Sequence, residues 1–220
     1  MNWNEIKELL VVPSIDGIDK LLANQAFWTS PEEVIFSTTS YLYKNKRFND
    51  AIRLIEATRK LNCPLSVGMN LQFCYLRADI LLDTGNHEAA AAAYDEIIAT
   101  SSTEVALANR ALAKWEMNLY AEALEDYLQA YKMNASNPIV CRGVGEMMIK
   151  TGNSKGAVPF LQKALQLDQE YSQAYTALGV ALFNCEEWVD AYESFREAIK
   201  RNPCDQKARM GIQKIDSFLE

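Results

Sequence analysis

LGVALFNCEEWVDAYESF, Leu178 to Phe195, decides how this chain folds. Its apolar residues recur at helical spacing on both sides of Cys185-Glu186-Glu187-Trp188. Gly179, Ala181 and Ala191 stand where larger apolar residues would also fit a helix. Either the Cys185–Trp188 tetrad is a site, or it is a joint between two helices that approach closely at the small residues. Recurrence along the chain separates the two readings.

The pattern recurs. Ala191, Phe195 and Ala198 are matched 34 residues earlier by Ala157, Leu161 and Ala164, and 34 before that by Ala123, Tyr127 and Ala130. A step of 33 gives Ala90, Tyr94 and Ile97, and a step of 39 gives Ala51, Ile55 and Thr58. About five extra residues therefore lie near Leu61 to Asn70. Leu178-Gly179 likewise aligns with Val144-Gly145, Arg110-Ala111 and Arg77-Ala78. Five units follow: 32–65, which is degenerate, 71–103, 104–137, 138–171 and 172–205. Residues 206–220 read as a C-terminal capping helix. Residues 1–31 read as an N-terminal helical cap broken at Pro13 and Gly17.

Each unit holds two helical stripes separated by helix-stopping and capping residues, such as Thr84-Gly85-Asn86 and Thr151-Gly152-Asn153-Ser154. Neither helix of a pair buries its stripe alone, so the pairs must stack. The predicted fold is all-α, an array of stacked antiparallel helix pairs. Gly145, Gly179, Ala78 and Ala111 fall where the two helices of a unit cross. A glycine there costs about 1 kcal/mol of helix propensity relative to alanine, which close packing offsets.

Composition narrows function. The chain has 220 residues, 49% hydrophobic and 23% charged, which suits a folded chain rather than a disordered one. Net charge is -7, which opposes nucleic acid or an anionic membrane as the main partner. The N-terminal apolar run, Leu9 to Val12, stops after four residues, short of a signal h-region, and no run approaches the length of a membrane span, so the expected location is cytoplasmic. Five cysteines, at 63, 74, 141, 185 and 204, are widely spaced with no CxxC, and His87 is the single histidine. Metal-ligand spacing is missing, and free thiols are expected. GVGEMMIKTGNSKG departs from the phosphate-loop spacing and follows a proline-initiated helix, not a strand. Glu122, Glu125 and Asp126 read as the polar surface of a second helix. Neither a cofactor nor catalysis is expected.

The repeat resembles the tetratricopeptide repeat family, whose unit of about 34 residues carries W-x2-L-G-x2-Y, then A-x3-F, then A and P. Residues 172–205 match it at Tyr175, Leu178, Gly179, Leu182, Ala191, Phe195, Ala198 and Pro203. Residues 138–171 match at Cys141, Val144, Gly145, Met148, Ala157, Leu161 and Ala164. In residues 104–137, Arg110 and Lys114 stand where apolar residues are expected, which allows a slip of register. The resemblance covers about 32–219 and implies a right-handed α-solenoid. It also implies a non-catalytic adaptor or scaffold, chaperone-like in some members, that binds a partner's apolar peptide or helix in a concave groove.

Carried over position by position, the resemblance places Gln72, Tyr75, Leu76, Val105, Asn109, Leu112, Trp115, Arg142, Glu146, Thr176, Val180 and Phe183 in that groove. Trp115 is either a groove anchor or a core residue replacing the aromatic missing at Lys114. Arg142 pairs either with Glu146 one turn on or with a partner's carboxylate. The family's clamp for the C-terminal carboxylate of heat-shock chaperones fails here. Its positions hold Tyr75, Asp79, Asn109, Ile139 and Gly143, of which Asn109 alone fits.

Three occupants of the groove stay open: a partner segment, the chain's own residues 1–31 with Trp3, Leu9, Leu10, Leu21, Leu22 and Trp28, or a second copy. Ile212, Ile215 and Phe218, if exposed on the last helix, would favour a structural homo-oligomer. An enzyme subunit with an unrecognised site is the remaining alternative.

Overall fold

A computed structural model describes Ile6 and residues 15–28, 32–60 and 65–219, with the backbone alone at 15–17 and 219. Trp3, Leu9, Leu10, Pro13 and Cys63 lie outside the described residues. The described elements are all helices. α1 (Ile15–Leu22) and α2 (Gln25–Trp28) precede five pairs: α3 (Glu32–Lys44) with α4 (Phe48–Lys60), α5 (Val67–Asp83) with α6 (His87–Thr100), α7 (Glu104–Glu116) with α8 (Tyr120–Met133), α9 (Pro138–Lys150) with α10 (Ser154–Leu167), and α11 (Ser172–Asn184) with α12 (Trp188–Arg201). α13 (Gln206–Leu219) follows.

The joints explain why each pair turns back on itself. Lys46, Gly85, Asn118, Gly152 and Glu186 each have positive φ, from 57° to 86°, at intervals of 39, 33, 34 and 34 residues. A left-handed residue ends the first helix and turns the chain toward the second. Cys185-Glu186-Glu187 is one of these joints. Several first helices begin on side-chain caps: Ser66 accepts from the Met69 amide, Thr103 from the Ala106 amide and Asn137 from the Ile139 amide. Such caps satisfy otherwise orphaned donors.

The chain divides into two compact units, Met1–Thr100 and Ser101–Glu220. In the first unit, Ile18, Leu21 and Phe27 join Ile35, Leu42, Leu54 and Ile55 in one buried cluster. α1 packs against α4, and its Asp19 pairs with Arg53. The described part of the leading segment thus builds core beside a second helix, and Leu21 is spent there. Gly17, expected as a break, lies inside α1. A single glycine lowers helix propensity without ending a helix whose apolar face is buried.

In the second unit, consecutive helices pack on one another, and the first helices also pack on each other: α7 on α9, α9 on α11, α11 on α13. One layer is therefore made of first helices and the other of second helices. Small residues set the closeness of the layers. A Cβ on Gly145 would sit 2.5 Å from Leu161, and one on Gly179 would sit 2.6 Å from the Phe195 ring. Gly211 approaches the same ring from α13, where a Cβ would come within 2.4 Å.

Candidate functional site

The first-helix face of the second unit carries most of the groove positions. Val105 and Ile139 are 50% and 55% exposed. Asn109, Leu112, Arg142, Glu146, Val180 and Phe183 are half-buried. Trp115 is half-buried too, packed beside Ala108 against the cluster of Ala111, Tyr127, Val144 and Met147. It therefore has a core-facing side and a solvent-facing side. Thr176 is buried: its hydroxyl donates to Asp205 at 2.6 Å, and Asp205 also caps α13 by accepting from the Ala208 amide. In the first unit Gln72 is exposed, Tyr75 is half-buried and Leu76 is buried.

Leu76 and Thr176 are thus removed from the exposed surface, for different reasons. Leu76 shares its place in the repeat with Asn109, which is half-buried, with Ala177, which is buried, and with Gly143 and Gly211, which face a neighbouring helix. A Cβ on Gly143 would meet the Tyr127 ring at 2.5 Å, so this position is for helix packing. Thr176 lies on the open row but is covered by the turn entering α13.

Charges that looked misplaced in α7 are neutralised from α8. Arg110 donates through Nε and Nη2 to the two Asp126 oxygens, at 2.8 and 2.6 Å. Lys114 Nζ lies 2.9 Å from Asp126. The Asp126 side chain is 3% exposed, so it belongs to the interhelical core and not to the polar surface. Lys114 reaches the α8 carboxylate while Trp115 packs half-buried on the cluster beside it, so Lys114 holds its core position without a slip of the α7 register. A buried carboxylate needs such partners, because unpaired burial is very unfavourable.

Arg142 is held within the unit. Its Nη1 donates to Glu146 at 2.7 Å and its Nε to the Tyr171 hydroxyl at 2.6 Å. Burial pushes the neighbouring Tyr127 hydroxyl up to about 12, with Arg142 opposing the shift and Glu146 adding to it. Phe183, at the far end of the face, meets Trp188 edge-on with ring centres 5.0 Å apart and Phe218 at a tilt with centres 6.1 Å apart. Ile215, expected to be exposed, is buried, and Ile212 packs partly buried against the same core, because α13 docks as another first helix would. Only Phe218 of that trio is open to solvent, at 68%.

Among the described residues no group of three or more His, Cys, Asp or Glu side chains converges as a metal site would. Cys74, Cys141, Cys185 and Cys204 are free thiols. His87 opens α6, with its Nδ1 buried and without a hydrogen-bond partner. No described helix is long and apolar enough to cross a membrane.

Comparison with known proteins agrees with this architecture. The family model described as tetratricopeptide repeat matches residues 40–104 and 109–172. A small glutamine-rich tetratricopeptide repeat-containing protein 2 from Mycosarcoma maydis is 25% identical over 54% of this chain and 33% of its own length. An Hsp70-Hsp90 organizing protein 1 from Glycine max is 28% identical over 43% of this chain and 17% of its own. The chain thus spans a third or less of the length of these curated relatives. Among solved structures, YrrB, described as a TPR protein with an unusual peptide-binding site, superposes with a TM-score of 0.67 at 12% identity, covering 83% of this chain and 92% of that one. With the paired helices, their left-handed joints and the glycine crossings, the matched residues show that this chain belongs to the tetratricopeptide repeat family.

Proposed function

We propose that the protein is a non-catalytic adaptor that holds a short apolar segment of a partner protein on the first-helix face of its second unit. The observation that carries this is the open apolar row. Val105 and Ile139 are half-exposed, and Leu112, Trp115, Val180 and Phe183 are half-buried on the first helices of the same unit, each keeping part of its side chain open to solvent. Exposed apolar strips of this kind mark interaction surfaces, and a helix or extended segment laid along the strip buries it. Relatives named as organizing proteins of chaperones, and a fold relative described by its peptide-binding site, support an adaptor reading. Gln72 and Tyr75 are the corresponding candidates in the first unit.

The positive-φ joints support the division into repeats at 32–65, 71–103, 104–137, 138–171 and 172–205, with caps at 1–31 and 206–220. The carboxylate clamp for heat-shock chaperones has no matching residues beyond Asn109, so an internal segment is the proposed ligand. Stacking between copies through α13 has less support, since its outward flank presents Arg209, Gln213 and Asp216. A cytoplasmic location accords with free thiols and with an adaptor role. The test is a pull-down with mass spectrometry, wild type beside Trp115→Ala and Leu112→Glu. A stoichiometric partner recovered by wild type and lost from both variants supports the groove. Equal recovery from all three sinks it.

A further inference from the structure

α13 has one buried face and two open flanks. Ala208 and Ile215 are buried, and Gly211 sits against Phe195. At about 100° per residue, Lys207, Met210, Lys214 and Phe218 share one flank, and Arg209, Gln213 and Asp216 share the other. The Phe218 contacts with Phe183 and Trp188 turn the first flank toward α11. On it Met210 is 57% exposed, and both lysines are exposed. Arg209 is occupied by the Pro203 carbonyl at 2.6 Å. Neither the Lys207 nor the Lys214 ammonium has an ion pair or hydrogen bond among the described residues.

The neighbouring first helices continue the same sign. α11 has no charged residue. α9 contributes Arg142, Glu146 and Lys150, and Glu146 is already engaged by Arg142. From α9 to the inner flank of α13, four cations therefore stand against two carboxylates, Glu146 held by Arg142 and Asp205 held by Thr176 and the α13 cap, in a chain of net charge -7. Much of the acid sits on the second helices instead, at Glu122, Glu125 and Asp126 of α8 and Asp190, Glu193 and Glu197 of α12. Apolar residues interleaved with unpaired lysines, and bordered by an uncharged helix, form a surface of defined complementarity.

We infer that the α11–α13 end of this face holds an acidic amphipathic segment of a partner protein. Its apolar side chains lie against Val180, Phe183 and Met210, and its carboxylates against Lys207 and Lys214. This rests on the groove reading above and specifies its ligand. Exposed cations near apolar side chains also suit an anionic lipid surface, but the strong negative net charge opposes approach to one.

The experiment selects a phage-displayed library of random peptides of about 12 residues against the full chain. A parallel selection uses Lys207→Glu/Lys214→Glu, whose altered side chains are exposed and make no described contact. Circular dichroism melts check that both proteins are equally folded. The expected result is enrichment, on wild type, of peptides combining Asp or Glu with aliphatic or aromatic residues. One such peptide, followed by fluorescence anisotropy, should bind the variant about tenfold or more weaker and should lose affinity with salt. Enriched peptides without net negative charge would overturn the acidic ligand while leaving the groove intact. Absence of enrichment on either protein would remove the groove as well. Cosedimentation with vesicles of phosphatidylserine and phosphatidylcholine, abolished in the variant, would reassign the flank to lipid and overturn the proposal.

Discussion

Phe195 shows how single residues set the geometry of the second unit. Its ring is 1% exposed and lies between Gly179 of its own pair and Gly211 of α13. Alanine at 179 would gain helix propensity of up to about 1 kcal/mol, but the added Cβ would fall 2.6 Å from an aromatic carbon. Overpacking of this kind destabilises by about 1–3 kcal/mol, so Gly179→Ala is expected to lower the urea midpoint. Gly68 is the control. It lies in the first turn of α5 with nothing within 4 Å of an added Cβ, and Gly68→Ala should gain about half a kcal/mol. Equal responses of the two variants would refute the packing argument. Tyr127 makes a second prediction at this scale. Burial holds its folded pKa at about 12, above the value of about 10 for an unfolded tyrosine. The folded state therefore keeps the proton longer. Its contribution is intact below about pH 10 and is lost as pH rises through 12. Urea unfolding of Tyr127→Phe at pH 8 and pH 11 should show a smaller alkaline loss than wild type. An unchanged loss would place the titrating group elsewhere.

Helix pairing is where sequence and structure part company most. The 34-residue period makes the pairs, the joints and the glycine crossings legible, because each depends on residues close in sequence or on a repeated position. The Asp126 clamp is different. It joins residues 12 and 16 apart on facing helices, and neither helix announces it alone. A signal existed all the same: Arg110 and Lys114 were two cations at core positions, and Asp126 was the acid on the opposite helix. Removing the acid takes away the one carboxylate that both cations share, and Glu122 stands 3.8 Å from Lys114 alone, so Asp126→Ala should cost about 3 kcal/mol. Arg110→Leu/Asp126→Leu should recover part of that loss, measured by chemical denaturation. A double variant no better than Asp126→Ala would show that packing, not charge, dominates the site. Ile215 was legible by the same arithmetic. It lies 34 residues after Ala181, which lies 34 after Met147, and all three are buried. Thr176 was harder to read: its cover comes from Asp205, one repeat after Tyr171, and the period marks that cap position without fixing which side chain stands there or what it bonds.

For the molecule as a whole, the question is what allows a stack of pairs to end. Each pair buries its stripe against its neighbours, and a terminal pair needs a cap with a polar outer side. As the proposed cap of the second unit, α13 has the two sides that this role requires. It covers Phe195 with Gly211 and buries Ala208 and Ile215, while Arg209, Gln213 and Asp216 turn outward. Two buried clusters, from Ala111 to Met147 and from Cys141 to Ile215, draw on residues of the second unit alone. Residues 101–220 are therefore expected to fold alone, with a helical circular dichroism spectrum and a single cooperative urea transition. Shortening that fragment to 101–205 should expose the Phe195 face and sacrifice the burial of Ile215, worth about 1.5–3 kcal/mol by itself. The shortened fragment should unfold at lower urea and bind a dye for exposed apolar surface. Equal midpoints for the two fragments would mean that α13 is not what closes the stack. If α13 also carries the acidic-segment flank, the shortened fragment should lose the selected peptide even under conditions where it remains folded. Stability and recognition would then reside on opposite sides of the same helix.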